Sequence, residues 1–372
     1  MKIIIIGPAY PWRGGIAHHS GLLAAHLSKR HDVELVTFSR QYPSFLFPGT
    51  SQYEEVPAPP ALPAQQSIDS LNPLNWIRVG LALQMKTPAL LLFTYSLPFF
   101  APCYGTIAAI ARKKPGIRTM FLCHNVIPHE RRFGDRLLTR FAFAFADYFI
   151  VQSEAVQHDL VELRPDATFA MAHHPVFESF GNSIPKEEAR QRLSISSPRT
   201  LLFFGYVRQY KGLSVLLRAL QNLHEVHLIV AGEFYDNEQA YQDLTRDLNI
   251  SERVRFVNSY IPGSDVPLYF SAADAVVVPY LSATQSGIIQ LAYNFDKPVI
   301  ASHVGGLSEV VTDHETGRLV PPGDAAALAG AIKEFYEKNE EPRMTKAVSR
   351  TKSEFSWDKL VAAVESFLDR DR

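Results

Sequence analysis

The sequence predicts an α/β protein built from two doubly wound domains in series. Short apolar stretches rich in β-branched residues alternate with longer stretches of helical period, which is typical of a parallel sheet with right-handed crossovers. This alternation begins at residues 2–6, ends near residues 173–182 and starts again at residues 200–204. A chain of 372 residues with 47% apolar residues is large enough for two hydrophobic cores.

The first half is predicted as a strand, a helix and a strand from its first residues onward. Four consecutive isoleucines in residues 2–6 form the first strand, residues 15–29 a helix and residues 33–38 the second strand. Later strands are predicted at residues 90–95, 118–123, 148–152 and 169–172, with helices at residues 101–112 and 131–146.

Residues 41–102 interrupt this alternation. Ten of the 25 prolines lie between Pro43 and Pro102, and each removes a backbone donor and restricts the residue before it. An extended, irregular excursion is therefore predicted. Its aromatic residues leave two interpretations open: a loop that contributes to a substrate site, or an insertion that packs over the sheet.

The second half repeats the pattern of the first. Strands are predicted at residues 200–204, 226–231, 254–257, 275–278 and 298–300, with helices at residues 213–223 and 236–248. Doubly wound domains bind ligands at the carboxyl ends of their strands. We therefore expect a site there, in a cleft between a domain of residues 1–176 and one of residues 177–345, followed by an amphipathic tail.

Composition excludes several classes of protein. The net charge of −1 gives no reason to expect a nucleic-acid partner, although the basic surplus lies in the N-terminal half. The two cysteines, Cys103 and Cys123, have no metal-ligand spacing and suggest buried thiols in a reducing compartment. No secretory leader and no spanning segment is expected, and the pairs of histidines lack acidic partners at the spacing of a metal site.

Residues 279–324 contain two glycine-bearing turns that follow predicted strands. Thr284, Gln285, Ser286 and Gly287 open an apolar stretch of helical period, and residues 305–309 form a Gly-Gly-x-x-Glu turn. Glycine lets backbone N–H groups approach an anion, and a helix N-terminus adds positive dipole charge. The segment therefore predicts a site for a diphosphate and the sugar attached to it.

This segment resembles the donor-binding signature of the retaining GT-B glycosyltransferases of family four. The resemblance is nearly complete from Pro298 through Glu309 to Asp324. It fails at the two glutamates of the family pattern, which fall on Ser282 and Gln290. The resemblance implies that Gln290 takes the place of a ribose-binding glutamate, and an amide can still hydrogen-bond a ribose hydroxyl.

Residues 205–212 resemble a second family motif, Gly-Arg-x-x-x-x-Lys-Gly. Gly205 and Lys211 match it, whereas Tyr206 replaces the arginine and Arg208 stands two residues later. The resemblance implies that Arg208 and Lys211 stabilise the diphosphate that leaves during sugar transfer, because negative charge develops on it.

Two N-terminal features complete the expected site. Gly14 and Gly15 follow the first strand and open a helix, and the resemblance places this loop beside the donor phosphates and the acceptor. His124 follows a parallel strand, and in similar enzymes a histidine here approaches the donor sugar. A structural histidine and a simple tight turn remain the alternatives.

The resemblance implies a metal-independent enzyme without a cofactor. It would transfer a hexose from a nucleotide-diphosphate sugar to a glycan or lipid-linked acceptor with retention, in cell-envelope polysaccharide biosynthesis. The expected catalytic residues are His124, Arg208 and Lys211, and the expected donor-binding residues are Gly14, Gly15, Gly205, Thr284, Gln285, Ser286, Gly287, Gln290 and Glu309.

Two other functions stay open: a catalytically silent nucleotide-sugar-binding protein, suggested by Ser282 and Gln290, and a sugar-nucleotide epimerase on the same fold. The expected location is the cytoplasm, at the inner face of the cell membrane. Arginines and phenylalanines on one predicted helix, residues 131–146, suggest a peripheral membrane contact there.

Overall fold

The computed structural model describes residues 1–43, 51–54, 62–128 and 132–368. The chain divides into two compact units. Unit 1 comprises Met1–His174 and the C-terminal segment that begins at Trp357, and unit 2 comprises Pro175–Ser356. The sequence placed the corresponding boundaries after residues 176 and 345.

Unit 1 contains a parallel sheet of seven strands in the order β3-β2-β1-β4-β5-β6-β7. The strands are β1 (Lys2–Ile6), β2 (Asp32–Arg40), β3 (Ala64–Asp69), β4 (Leu90–Tyr95), β5 (Arg118–Cys123), β6 (Tyr148–Val151) and β7 (Phe169–Met171). Its first five α-helices are α1 (Gly15–Leu27), α2 (Pro73–Lys86), α3 (Ala101–Ala111), α4 (Asp135–Phe143) and α5 (Glu154–Leu163).

Unit 2 contains a parallel sheet of six strands in the order β10-β9-β8-β11-β12-β13. The strands are β8 (Arg199–Phe204), β9 (Val226–Ala231), β10 (Val254–Val257), β11 (Ala275–Val278), β12 (Val299–Ser302) and β13 (Gly317–Val320). The helices are α6 (Lys186–Arg192), α7 (Leu213–Ala219), α8 (Glu238–Asp247), α9 (Val266–Ala272), α10 (Gly287–Asn294), α11 (Ala325–Glu337) and α12 (Glu341–Thr351).

The last helix, α13 (Trp357–Leu368), belongs to unit 1. Its buried residues, among them Trp357 and Leu360, join α1 and one face of the seven-stranded sheet in a single hydrophobic cluster. The other face of that sheet forms a second cluster with α2, α3, α4 and α5. Helices therefore cover both faces, which is why the central strands are mostly apolar rather than alternating.

In both sheets the order of the strands reverses next to the first strand of the unit. In unit 1 the chain runs outward through β1, β2 and β3, then returns to the other side of β1 with β4. In unit 2 it does the same at β8 and β11. Ligands of doubly wound sheets bind where the strand order reverses, outside the carboxyl ends of the strands. In unit 2 this point lies at the loops that follow β8 and β11.

The prediction of an irregular excursion over residues 41–102 is wrong for much of its length. The described part contains β3, which pairs with β2 in parallel, and the 14-residue helix α2. Pro73 is compatible with this helix because the first turn has no intrahelical use for its missing N–H. Asn72 caps the helix by accepting from the amides of Leu74 and Asn75. The aromatic and proline residues at 44–50 and 55–61 lie outside the described residues.

Other elements follow the prediction with shifted ends. The predicted helix at residues 131–146 is shorter as α4, and its predicted first residue lies outside the described residues. Helix α7 ends at Ala219 and continues as one 3-10 turn to Asn222. Among the described residues, no helix is both long and apolar enough to span a membrane.

Candidate functional site

The loop after β8 brings the two predicted cations to the carboxyl end of the unit 2 sheet. Gly205 has φ +90°, and the chain then forms a 3-10 turn at Gln209–Lys211 before Gly212 starts α7. This loop is fixed to the loop after β11, because the Leu281 amide donates to the Tyr210 carbonyl at 2.7 Å. A Cβ on Gly212 would lie 1.9 Å from the Pro279 carbonyl oxygen, so the two loops are in close backbone contact.

Lys211 is buried, with 8% of its surface exposed. Its ammonium lies 5.7 Å from the centre of the Tyr280 ring and beside Gly205, 3.5 Å from the point that a Cβ there would occupy. Burial, together with the Arg208 guanidinium, lowers the pKa of Lys211 to about 8. Within the described part of the chain, no carboxylate forms an ion pair with it. A buried lysine without a counter-ion is suited to an anionic ligand.

Arg208 lies on the same loop and is half-buried. Its guanidinium carbon is 5.1 Å from the centre of the Tyr235 ring, which stacks on Tyr206 with centroids 4.6 Å apart. Tyr206 thus has an aromatic partner at the position where the family motif has arginine. The sequence did not predict this stack; its one hint is that both tyrosines lie in loops that begin with a glycine after a strand, Gly205 and Gly232.

Helix α10 begins beside these cations. A Cβ on Gly205 would lie 3.2 Å from Ile288 Cδ1, in the first turn of the helix. Ser286 is the N-cap, and its side chain forms no capping hydrogen bond. The Ile289 amide donates to the Ser286 carbonyl at 3.2 Å, so the amides of Gly287 and Ile288 are the ones that keep donor capacity for an anion. The predicted opening of a helix at Gly287 is confirmed.

The second glycine turn differs from the prediction. The chain forms no α-helix between β12 and β13; residues Gly305–Leu307 form one 3-10 turn, so the expected helix dipole at this junction is wrong. The turn instead packs on the loop after β11. Gly305 has φ +51°, a Cβ there would lie 1.7 Å from the Ala283 carbonyl oxygen, and the Gly306 amide donates to the Thr284 carbonyl at 3.2 Å.

The remaining donor-binding candidates lie on these loops of unit 2. Thr284 is buried, and Gln285, Ser286, Gly287 and Glu309 are half-buried. Gln290, on α10, is 1% exposed, and its Oε1 has no hydrogen-bond partner among the described residues. Since a buried carbonyl oxygen normally has a partner, this atom is a candidate acceptor for a ligand hydroxyl.

Gly14, Gly15 and His124 belong to unit 1. Gly14 is the N-cap of α1 with φ +112°, a conformation that favours glycine, and Gly15 is the first helical residue. His124 directly follows β5, and its amide donates to the Tyr95 carbonyl at 2.8 Å. The glycines therefore open a helix as predicted, and the histidine stands at a strand end.

His124 is part of a buried histidine cluster that the sequence did not reveal. Its ring lies 4.7 Å from that of His19 on α1 and 6.2 Å from that of His174, between centroids. Gln152, at the end of β6, hydrogen-bonds His19 Nε2 at 3.2 Å, and Trp357 lies 5.0 Å from the His19 ring. Burial lowers the pKa of His124 to about 3 and that of His19 well below 6.5. Both imidazoles are neutral at physiological pH.

One group in the described residues has metal-ligand spacing. His158, Asp159 and Glu162 on α5 place one ligand atom each within 4.8 Å of one another. His158 and Glu162 are exposed, and Glu162 pairs with Arg136 at 2.8 Å. The group lies outside both sets of predicted site residues.

Two family models match the chain. Residues 14–171 match "Glycosyl transferase 4-like domain", and residues 198–338 match "Glycosyl transferases group 1". The D-inositol 3-phosphate glycosyltransferase of Corynebacterium diphtheriae is 30% identical over 237 residues, which cover 59% of this chain and 55% of that protein. The chain thus spans about half the length of the curated relatives it matches.

Solved structures show the same fold over the whole chain. The structure of Anabaena HepE in complex with UDP superposes with a TM-score of 0.78 at 19% identity, and the alignment covers 100% of both chains. Sucrose-phosphate synthase from Thermosynechococcus elongatus has a TM-score of 0.76 at 20% identity, with coverage of 100% of this chain and 99% of that one. Two parallel α/β units with these neighbours form a GT-B fold, and the chain belongs to the group 1 glycosyltransferases.

Proposed function

We propose that this protein transfers a sugar from a nucleotide-diphosphate sugar to a glycan or lipid-linked acceptor, with retention of the anomeric configuration. The observation that carries the proposal is Lys211, which is buried beside Arg208 near the N-terminus of α10 and has no ion-paired carboxylate among the described residues. These are the groups that a departing diphosphate requires. UDP and UDP-glucose bound to Anabaena HepE make uridine nucleotides the first donors to test.

In the proposed reaction, the bond between the anomeric carbon and the diphosphate oxygen breaks while a bond to the acceptor oxygen forms. The leaving phosphate takes the acceptor proton on the same face, so no carboxylate pair of the glycosidase type is needed. Lys211 Nζ, the Arg208 guanidinium and the first amides of α10 stabilise the growing negative charge. Because these groups supply positive charge, we expect transfer to continue in the presence of a metal chelator.

His124 has a different proposed role. A neutral imidazole does not compensate phosphate charge, but it donates or accepts a hydrogen bond with a sugar hydroxyl. Its pKa of about 3 excludes it as a general acid at neutral pH. Gln290 Oε1, which is buried and has no hydrogen-bond partner in the described parts of the chain, is the proposed acceptor for a ribose hydroxyl.

The experiment that tests the proposal is a donor screen followed by a transfer assay. UDP-, GDP- and ADP-sugars are compared by thermal shift, because a ligand that binds the folded state raises the melting temperature. The donor that binds is then incubated with candidate acceptors, including lipid-linked sugars from envelope synthesis, and released nucleotide is measured. Stabilisation by a sugar nucleotide with acceptor-dependent release supports the proposal. No stabilisation by any sugar nucleotide would contradict it.

A catalytically silent nucleotide-sugar-binding protein is the second candidate. The observation that favours it is the replacement of both family glutamates, by half-buried Ser282 and buried Gln290. Tight donor binding without turnover on any acceptor would support this alternative.

A further inference from the structure

Large apolar side chains are exposed on two helices of one layer of unit 1. On α2 and just before it, Leu71, Leu74, Ile77, Leu81 and Met85 are between 42% and 85% exposed. On α4 and just before it, Phe133, Leu137 and Phe141 are 109%, 72% and 42% exposed. These eight are most of the exposed large apolar residues in the described part of the chain.

The stripe on α2 faces away from the core. Leu74, Ile77, Leu81 and Met85 recur at three- and four-residue intervals, so they share one side of the helix. Val79, Gly80 and Leu83, on the opposite side, are buried. Burial of the core therefore does not explain the stripe.

Helix α3 packs between α2 and α4, so the two exposed sets lie on one layer. A Cβ on Gly80 of α2 would lie 2.8 Å from Ile110 of α3, and a Cβ on Gly105 of α3 would lie 2.7 Å from Phe141 of α4. All three helices cover the same face of the sheet. Glycine at both contacts lets the helices pack closely.

The charges on this layer are mostly positive. Residues 73–86, 101–118 and 132–143 contain nine lysines and arginines and one acidic residue, Asp135. Three of these cations pair with carboxylates of neighbouring elements: Lys86 with Glu34, Arg112 with Asp147 and Arg136 with Glu162. Arg78, Lys113, Lys114, Arg132 and Arg140 are exposed beside the apolar residues. Apolar side chains surrounded by cations fit the interface of an anionic bilayer, where the apolar groups enter the acyl boundary and the cations contact headgroups.

We propose that the surface formed by the exposed faces of α2, α3 and α4, with Lys113 and Lys114 at the end of α3, docks on an anionic membrane. The four apolar residues of the α2 stripe insert, and the arginines and lysines bind the lipid phosphates. The sequence indicated a basic and aromatic surface only on α4. In the structure Phe141 is exposed on α4 and Phe143 is buried. Helix α2 supplies more of the exposed apolar side chains than α4 does. The proposal requires no transferase activity, so it stands or fails separately from the proposed function.

The test is co-sedimentation of the full chain with two kinds of vesicle. One kind contains phosphatidylcholine alone, and in the other about one lipid in three is the anionic phosphatidylglycerol. We expect binding that requires the anionic lipid and weakens as salt is raised from low to physiological concentration. Leu81→Ser with Met85→Ser is expected to reduce the bound fraction about fivefold or more. Arg78→Glu with Arg140→Glu is expected to abolish the dependence on anionic lipid.

Matched changes outside the surface control for general effects. Leu281→Ser removes an apolar residue of unit 2 that is 41% exposed, and Lys333→Glu with Lys338→Glu reverses two exposed charges there. Both are expected to bind as the unmodified chain does. Absence of binding to anionic vesicles at low salt would overturn the proposal. So would a dimer in solution that Leu81→Ser with Met85→Ser converts to a monomer, because a second copy would then cover the surface.

Discussion

The buried ammonium of Lys211 links protein stability to ligand binding. Burying an ammonium without a counter-ion costs free energy, and the pKa of Lys211 is lowered because burial disfavours the charged form. An anionic ligand removes this cost. We therefore predict that Lys211→Ala and Arg208→Ala each lower kcat/KM about 100-fold, equivalent to about 2.7 kcal/mol of transition-state stabilisation.

Steady-state kinetics with the donor identified by the screen would measure this effect. Lys333→Ala, an exposed change in the same unit, is the control and should leave kcat/KM unchanged. Full activity in Arg208→Ala would mean that this arginine does not take over the role of the family arginine, whose position is occupied by Tyr206.

Gln290 gives a second prediction at the same scale. Gln290→Glu should keep or improve nucleotide affinity, because a carboxylate accepts a hydrogen bond from a ribose hydroxyl more strongly than an amide does. The ligand-free variant should be less stable, since its carboxylate is buried. Calorimetric titration with UDP and a thermal melt without ligand would measure both. A large loss of affinity would show that the amide N–H₂ donates to the ligand.

His124 and the cations lie in different units, which separates their expected effects. His124→Ala should weaken transfer while the affinity for free nucleotide stays within about threefold, because the phosphate contacts are assigned to unit 2. Loss of nucleotide binding in this variant would count against the assignment of His124 to the sugar.

At the scale of elements, the turn after β12 depends on Gly305. Its φ of +51° and its contact with the Ala283 carbonyl leave no room for a side chain. Gly305→Ala should reduce the free energy of unfolding by about 1–3 kcal/mol. It should also weaken donor binding, because the loop after β11 must move to make room for the added methyl group. Gly330→Ala, in α11 with no close neighbour, should instead stabilise by about 0.5–1 kcal/mol. Urea titration of both variants would compare them, and equal effects would contradict the proposed role of the turn.

At the scale of the whole molecule, the histidine cluster makes stability depend on pH. His19 and His124 have folded-state pKa values below the unfolded value near 6.5, so the unfolded chain binds more protons as the pH falls. Their contribution is complete above pH 6.5 and is lost as the pH falls, in the case of His124 toward about 3. Protonation of His124 in the unfolded chain should by itself cost about 2 kcal/mol of stability between pH 6.5 and 5.

Urea unfolding at pH 7.5, 6 and 5 would measure this slope. His124→Asn should reduce it, and His224→Asn, at an exposed position, should leave it unchanged. An unchanged slope in His124→Asn would mean that the histidine is already protonated in the folded protein.

The sequence by itself determined the two doubly wound sheets, because buried parallel strands require continuous apolar runs and such runs are visible at β1, β4, β8 and β11. It also located Lys211, Arg208 and Gly287, because each follows a strand end within a short motif. It misjudged α2, since proline density hides a helix whose first turn tolerates proline.

Only the tertiary structure decided the rest. The contact of Gly305 with Ala283, the stack of Tyr206 on Tyr235 and the cluster of His19, His124 and His174 join residues far apart in the chain. The apolar residues of α2 occur on both sides of the helix, so the sequence alone does not show which of them are buried and which are exposed. The local sequence shows hydrophobic periodicity and turn-forming residues. The packing of segments distant in the chain decides which helix face is covered and which buried polar group lacks a hydrogen-bond partner.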